Sequence, residues 1–169
     1  SHHAPEELRR DRYIEAPLCH PAVMMRARAL DEVGRYRDGL FPEDYELWLR
    51  LLERGWSLRT LPQRVLRWRD HPGRLTRTNP RYALPAHRAL KLDYLSREPF
   101  IVQGQGLVVA GAGPTGLALT RGLLAKGARL KRFIEVHPRK IGTTMLGVPV
   151  VGYDAVGAPV AGEHLLVAV

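Results

Sequence analysis

The chain has 169 residues, of which 45% are apolar and 25% charged, room for one domain or two small ones of ordinary globular composition. No stretch approaches the ~20 consecutive apolar residues of a membrane-spanning helix. A single cysteine, Cys19, excludes a disulfide framework and a cysteine-built zinc cluster. With no secretory signal at its start, the chain reads as cytoplasmic, with peripheral contact to a membrane left open. The formal charge of +9 is carried mostly by arginine and suits an anionic partner. No zinc finger, RNA-binding motif or aromatic-interleaved basic stripe speaks for nucleic acid.

Composition shifts near residue 100, from a part holding all three tryptophans to one rich in Gly, Val, Ala and Leu. This predicts two domains, residues 1–98 and 99–169, joined near Gly104-Gln105-Gly106. In the first, 22–25 reads as a short strand, and 28–33 as a helix stopped by Gly34. The helix over 42–54 is the clearest. Pro42 suits its first position, Leu47, Trp48, Leu51 and Leu52 recur on one face, and Gly55 ends it. Short strands are predicted over 58–61 and 65–68, and a helix over 85–96 with Leu90 and Tyr94 on one face. The second domain should alternate: a strand from Gly106, a helix over 117–126 closed by Gly127, then strands over 129–136, 147–151 and 164–169. So few elements are short of a complete doubly wound sheet, so a chain truncated at its C-terminal end is expected.

Residues 41–51 read FPEDYELWLRL. Glu43 and Asp44 fall in the first helical turn, where the helix dipole favours acids by ~0.3–1 kcal/mol. They are either a helix start or the acidic end of a catalytic cleft.

Their context carries a resemblance. Cys19-His20-Pro21-Ala-Val-Met-Met-Arg26 precedes them, then Leu30-Asp-Glu-Val-Gly34-Arg-Tyr36. Trp56, Leu61-Pro62 and Leu66-Arg67-Trp68-Arg69-Asp70-His71-Pro72 follow. This ordered set, from Tyr13 to Arg77, resembles the C-terminal half of the catalytic domain of family-2 glycosyltransferases. The resemblance implies an α/β chain beginning with part of a GT-A-like domain. It implies inverting transfer of a sugar from a nucleotide-diphosphate donor to a glycan or lipid-linked acceptor. Asp44 would be the general base, with Glu43 orienting it or binding acceptor hydroxyls. His20 would bind acceptor or be a buried structural histidine. Arg69 and Arg74 would meet the diphosphate. His71 would touch a divalent cation, Mg or Mn, or be a plain turn residue. The family's donor-binding half and its Asp-x-Asp metal motif are not in this sequence. The isolated chain is therefore expected to be inactive.

Gly111-Ala-Gly113-Pro-Thr-Gly116 lies between a predicted strand and helix, where glycines let backbone N–H groups approach a diphosphate. Glu135 ends the next strand, nineteen residues after Gly116 (135 − 116), the usual place of an acid that binds a ribose hydroxyl. This predicts a Rossmann-like parallel domain. Phe133-Ile-Glu135-Val-His-Pro-Arg-Lys-Ile-Gly142 followed by Gly147-Val-Pro-Val resembles the nucleotide-sugar-binding domain at the front of bacterial sugar acyltransferases. That domain is also appended to some family-2 glycosyltransferases. The leading expectation is thus a bacterial glycosyltransferase fragment with a nucleotide or nucleotide-sugar in its second domain. An NAD(P)-dependent oxidoreductase and a non-catalytic nucleotide-sugar-binding module remain alternatives, as does a second domain used only for packing.

Overall fold

A computed structural model describes residues 4–104, 106–156 and 160–168. It is an α/β chain that divides into two compact units, residues 1–91 and 92–169. The division lies inside a helix, a few residues before the composition shift. Leu92 already packs with the second unit: a Cβ placed on Gly122 would meet its side chain at 2.5 Å. Among the described residues no helix is long and apolar enough to cross a membrane.

The first unit is helical. α1 (Pro5–Arg10) starts where the Ala4 N–H donates to the Glu7 carboxylate at 2.9 Å. A 3-10 turn (His20–Ala22) precedes α2 (Ala27–Val33), which ends at Gly34 in the left-handed region. α3 (Glu43–Glu53) has Pro42 as its N-cap, so it starts one residue later than the sequence suggested, and it stops before Gly55, whose φ is +87°. α4 (Leu75–Thr78) and a 3-10 turn (Pro80–Tyr82) lead to α5 (Leu84–Leu95).

Leu47, Trp48, Leu51 and Leu52 of α3 are buried with Leu8, Ala29, Val33 and Leu58. Each such burial contributes roughly 1.5–3 kcal/mol, so α3 is the centre of this unit. The strands expected over 22–25, 58–61 and 65–68 are not formed. A strand exists only through ladder bonds to a neighbour, and among the described residues these segments have none. Arg67 interrupts 65–68, and Val65 and Trp68 stay exposed, so no buried face fixes a register there.

In the second unit α6 (Pro99–Val102) precedes β1 (Gly106–Ala110), α7 (Pro114–Ala125) and β2 (Leu130–Glu135). A small hairpin strand β3 (Thr144–Met145), β4 (Val148–Gly152) and β5 (Glu163–Val167) complete a five-stranded sheet in the order β3-β4-β2-β1-β5. All pairs are parallel except β3 with β4. The interior strand β1 is a continuous apolar run, Leu107-Val108-Val109, buried on both faces as a parallel strand requires. α7 begins three residues earlier than the sequence suggested, because Pro114 can open a helix. Strand order reverses between β2 and β5 on either side of β1, so the glycine loop after β1 sits at the switch point where α/β sheets bind ligands. Gln105 and Val169, named in the expectations above, lie outside the described residues.

Candidate functional site

Glu43 and Asp44 are both half-buried at the start of α3. Two residues from the 3-10 turn, far along the chain, meet Glu43. The Tyr82 hydroxyl lies 2.6 and 2.8 Å from its two carboxylate oxygens, and Arg81 stands at 3.5 Å. Arg81 also pairs with Asp38 at 2.7 Å. Burial pushes the Glu43 carboxyl up. The Tyr82 hydroxyl, a backbone N–H, Arg81 and His20 together outweigh it and hold the group below the usual carboxylate range. Burial first, and then the bond to Glu43, push the Tyr82 hydroxyl up to about 12. At neutral pH Glu43 is therefore a fixed anion and Tyr82 a fixed donor.

Asp44 is held differently. One oxygen accepts the Tyr45 N–H at 2.8 Å, and among the described residues the other accepts no hydrogen bond. Its charge reaches Cys19, Tyr36 and Tyr82. The Tyr36 hydroxyl is pushed up by burial first and then by Asp44 and Glu43. It lies 2.8 Å from His20 Nε2, and the His20 ring stands edge-on to Trp48 with centroids 6.0 Å apart. His20, Tyr36, Glu43, Asp44, Arg81 and Tyr82 thus gather at one end of α3.

The remaining sequence candidates sit apart from this group. Arg74 lies over the Trp68 ring at 4.1 Å and pairs with Asp70 at 3.1 Å, while Arg77 pairs with the other Asp70 oxygen at 2.6 Å. Arg74 approaches the acidic end only through its effect on Cys19. His71 is exposed in a turn where its carbonyl accepts the Arg74 N–H at 3.2 Å, and Arg69 is exposed. Among the described residues no three His, Cys, Asp or Glu side chains are grouped to hold a metal ion.

The scaffold beneath the acids is a buried ion pair that the sequence reading passed over. Glu46 and Arg50 are 3% and 4% exposed, inside a helix the sequence marked as apolar on one face only. Arg50 binds both Glu46 oxygens, at 3.0 and 2.6 Å. It also donates to the carbonyls of Val33 and Arg35, the latter at 2.8 Å. Those carbonyls close the C-terminal end of α2, so the pair ties α2 to α3 and satisfies groups a helix end leaves orphaned. The Glu-x-x-x-Arg spacing inside an apolar helix was the available signal. For Arg81 and Tyr82 no local signal existed.

In the second unit the glycine loop is built as its spacing suggests. Gly111 has φ +104°. A Cβ on Gly116 would lie 1.9 Å from the Gly111 carbonyl oxygen, so α7 approaches the loop only because that atom is absent. A Cβ on Gly113, the N-cap of α7, would meet nothing within 4 Å. Glu135 lies beside the loop with its side chain 10% exposed. One of its oxygens accepts the N–H groups of Val136 and His137, at 2.9 and 3.3 Å. The other accepts the Ala112 N–H at 3.2 Å and the Lys140 ammonium at 3.1 Å. Lys140 in turn donates to the Ala112 carbonyl at 3.1 Å. Burial pushes the Glu135 carboxyl up, but Lys140 and the two backbone donors hold it below the usual range.

The chain matches no family model, no curated protein and no solved structure.

Proposed function

We propose that the first unit is the acceptor-side part of an inverting, GT-A-type family-2 glycosyltransferase, with Asp44 as its general base. We propose further that the second unit is a Rossmann-like nucleotide- or nucleotide-sugar-binding domain. The observation that carries the first proposal is the division of labour within the acidic pair. Glu43 is tied by Tyr82 and Arg81 and held anionic below the usual range, which makes it a poor proton acceptor. Asp44 keeps one oxygen unengaged among the described residues, within a ring of hydroxyl and imidazole groups suited to a sugar acceptor.

The acceptor hydroxyl would give its proton to Asp44 as its oxygen bonds to the anomeric carbon. The bond from that carbon to the diphosphate breaks, and its electron pair leaves with the diphosphate. Glu43, fixed by Tyr82, and the His20–Tyr36 pair would orient the acceptor's other hydroxyls. Correct orientation in a closed site lowers the barrier by positioning alone. Arg74, braced on Trp68 and Asp70 apart from the acidic group, would meet the departing diphosphate.

The test is release of nucleoside diphosphate from a panel of nucleotide sugars by the complete gene product, with and without Mg or Mn, comparing wild type with Asp44→Asn. Loss of roughly 10²–10⁴-fold in the variant, with an unchanged circular dichroism spectrum, is the expected result. Near-normal turnover would reduce Asp44 to a helix-start acid. No release from any donor would favour a second reading, a nucleotide-binding module without chemistry. The glycine loop supports that reading independently, through the open position at Gly113 and the close helix–loop approach at Gly116. NAD binding without any response to nucleotide sugars would instead favour an oxidoreductase.

A further inference from the structure

A carboxylate has about four lone-pair sites. In Glu135 all four are taken, by the N–H groups of Ala112, Val136 and His137 and by the Lys140 ammonium. The group is also nearly buried. A ribose hydroxyl could bond to it only by displacing one of these partners. Two are consecutive backbone amides of the turn that follows β2, and neither has another acceptor among the described residues. The third, Ala112, is 1% exposed, and its N–H would be left unpaired inside the protein. Burying an unpaired amide is costly, so the exchange is disfavoured at these three positions, and at the fourth it would replace the charge-assisted bond from Lys140 by a neutral one.

Lys140 completes the arrangement. Its ammonium bridges the Glu135 carboxylate and the Ala112 carbonyl, so both backbone polar groups of Ala112 are held from the strand side. Ala112 lies between Gly111 and Gly113. Two glycines give the backbone freedom, and the Glu135–Lys140 pair removes it. The loop amides are thereby set before a ligand arrives, which lowers the ordering cost of binding.

We infer that Glu135 and Lys140 are positioning residues that clamp Ala112 of the glycine loop, and that the second unit binds its nucleotide through the phosphates without reading the ribose 2′-hydroxyl. The inference rests on the nucleotide-binding reading of this unit for its second half only. The clamp itself needs no ligand.

Two measurements on the full chain separate the halves. Amide hydrogen exchange over residues 108–118, with no ligand present, compares wild type with Glu135→Gln and Lys140→Met. Exchange at Ala112 should speed up by about tenfold or more in Glu135→Gln, the factor for losing a bond to a charged acceptor, and by less in Lys140→Met. Strands β1 and β2 should keep their protection, which shows that both variants fold. Unchanged exchange at Ala112 in both variants overturns the clamp. Calorimetric titration with ADP, UDP and GDP, each against its 2′-deoxy analogue, tests the second half. Any diphosphate that binds should do so within about threefold of its deoxy partner, whereas a carboxylate bond to the hydroxyl would give tenfold or more. Glu135→Gln should weaken both members of a pair equally. Discrimination of tenfold or more that disappears in Glu135→Gln overturns the ribose half. If no diphosphate binds, the nucleotide reading and the ribose half fall together, while the exchange data still decide the clamp.

Discussion

Replacing Arg50 by methionine removes the charged head and keeps most of the stem. Glu46 then keeps its charge inside the core with Arg37 at 3.6 Å as a nearby cation, and the carbonyls of Val33 and Arg35 lose a donor. Breaking a buried ion pair from one side costs about 3–5 kcal/mol, and the remaining Arg37 places this case near the lower end, about 3 kcal/mol. All three tryptophans lie in the first unit, two of them, Trp48 and Trp56, in or against its core. Tryptophan fluorescence in urea therefore follows that unit alone. With a urea slope of about 1 kcal/mol/M for a unit of this size, the midpoint should fall by about 3 M, which leaves a marginal unit unfolded in buffer. Adding Glu46→Leu removes the buried carboxylate but does not restore a donor to the two carbonyls, so the double variant should recover to within about 1–2 kcal/mol of wild type. A midpoint shift below about 1 M in Arg50→Met, or a double variant no better than the single one, would refute the view that this pair holds α2 against α3.

Gly116→Ala places a methyl 1.9 Å from the Gly111 carbonyl oxygen, so it should destabilise the second unit by about 1–3 kcal/mol, seen as an earlier circular dichroism transition. Gly113→Val meets open space at an ordinary φ of −82°, so the melting temperature should barely move while nucleotide affinity falls at least tenfold. The contrast between these two glycines checks the loop geometry. Tyr82→Phe should cost the first unit about 1 kcal/mol near neutral pH, less than a full charged hydrogen bond because Glu43 is 24% exposed and keeps Arg81. Glu43 is held below its ordinary value of 4.5, so its contribution is present above that pH and lost as pH falls through the folded value. Urea midpoints of wild type and Tyr82→Phe should therefore converge below pH 4.5, and a constant gap would count against the Glu43–Tyr82 bond.

Sequence patterning alone determined the elements that close locally. α2 stops at Gly34 and α3 at Gly55, because a left-handed residue after a helical run needs only its own backbone freedom. The order strand, glycine loop, helix, strand and the place of Glu135 were legible for the same reason: each follows from a few neighbouring residues. Tertiary structure decided everything that depends on a partner distant in the chain. The segments 58–61 and 65–68 have strand-like side chains, but pairing is a property of two backbones, and among the described residues no neighbour is supplied. Arg50 lies on a helix covered all round, and that burial makes its pairing with Glu46 compulsory. Glu43 and Asp44 are adjacent and chemically alike in the sequence. Tyr82, brought from thirty-nine residues away, binds Glu43 together with Arg81, whereas among the described residues Asp44 keeps one oxygen unengaged, and these distant partners are what distinguish the two acids.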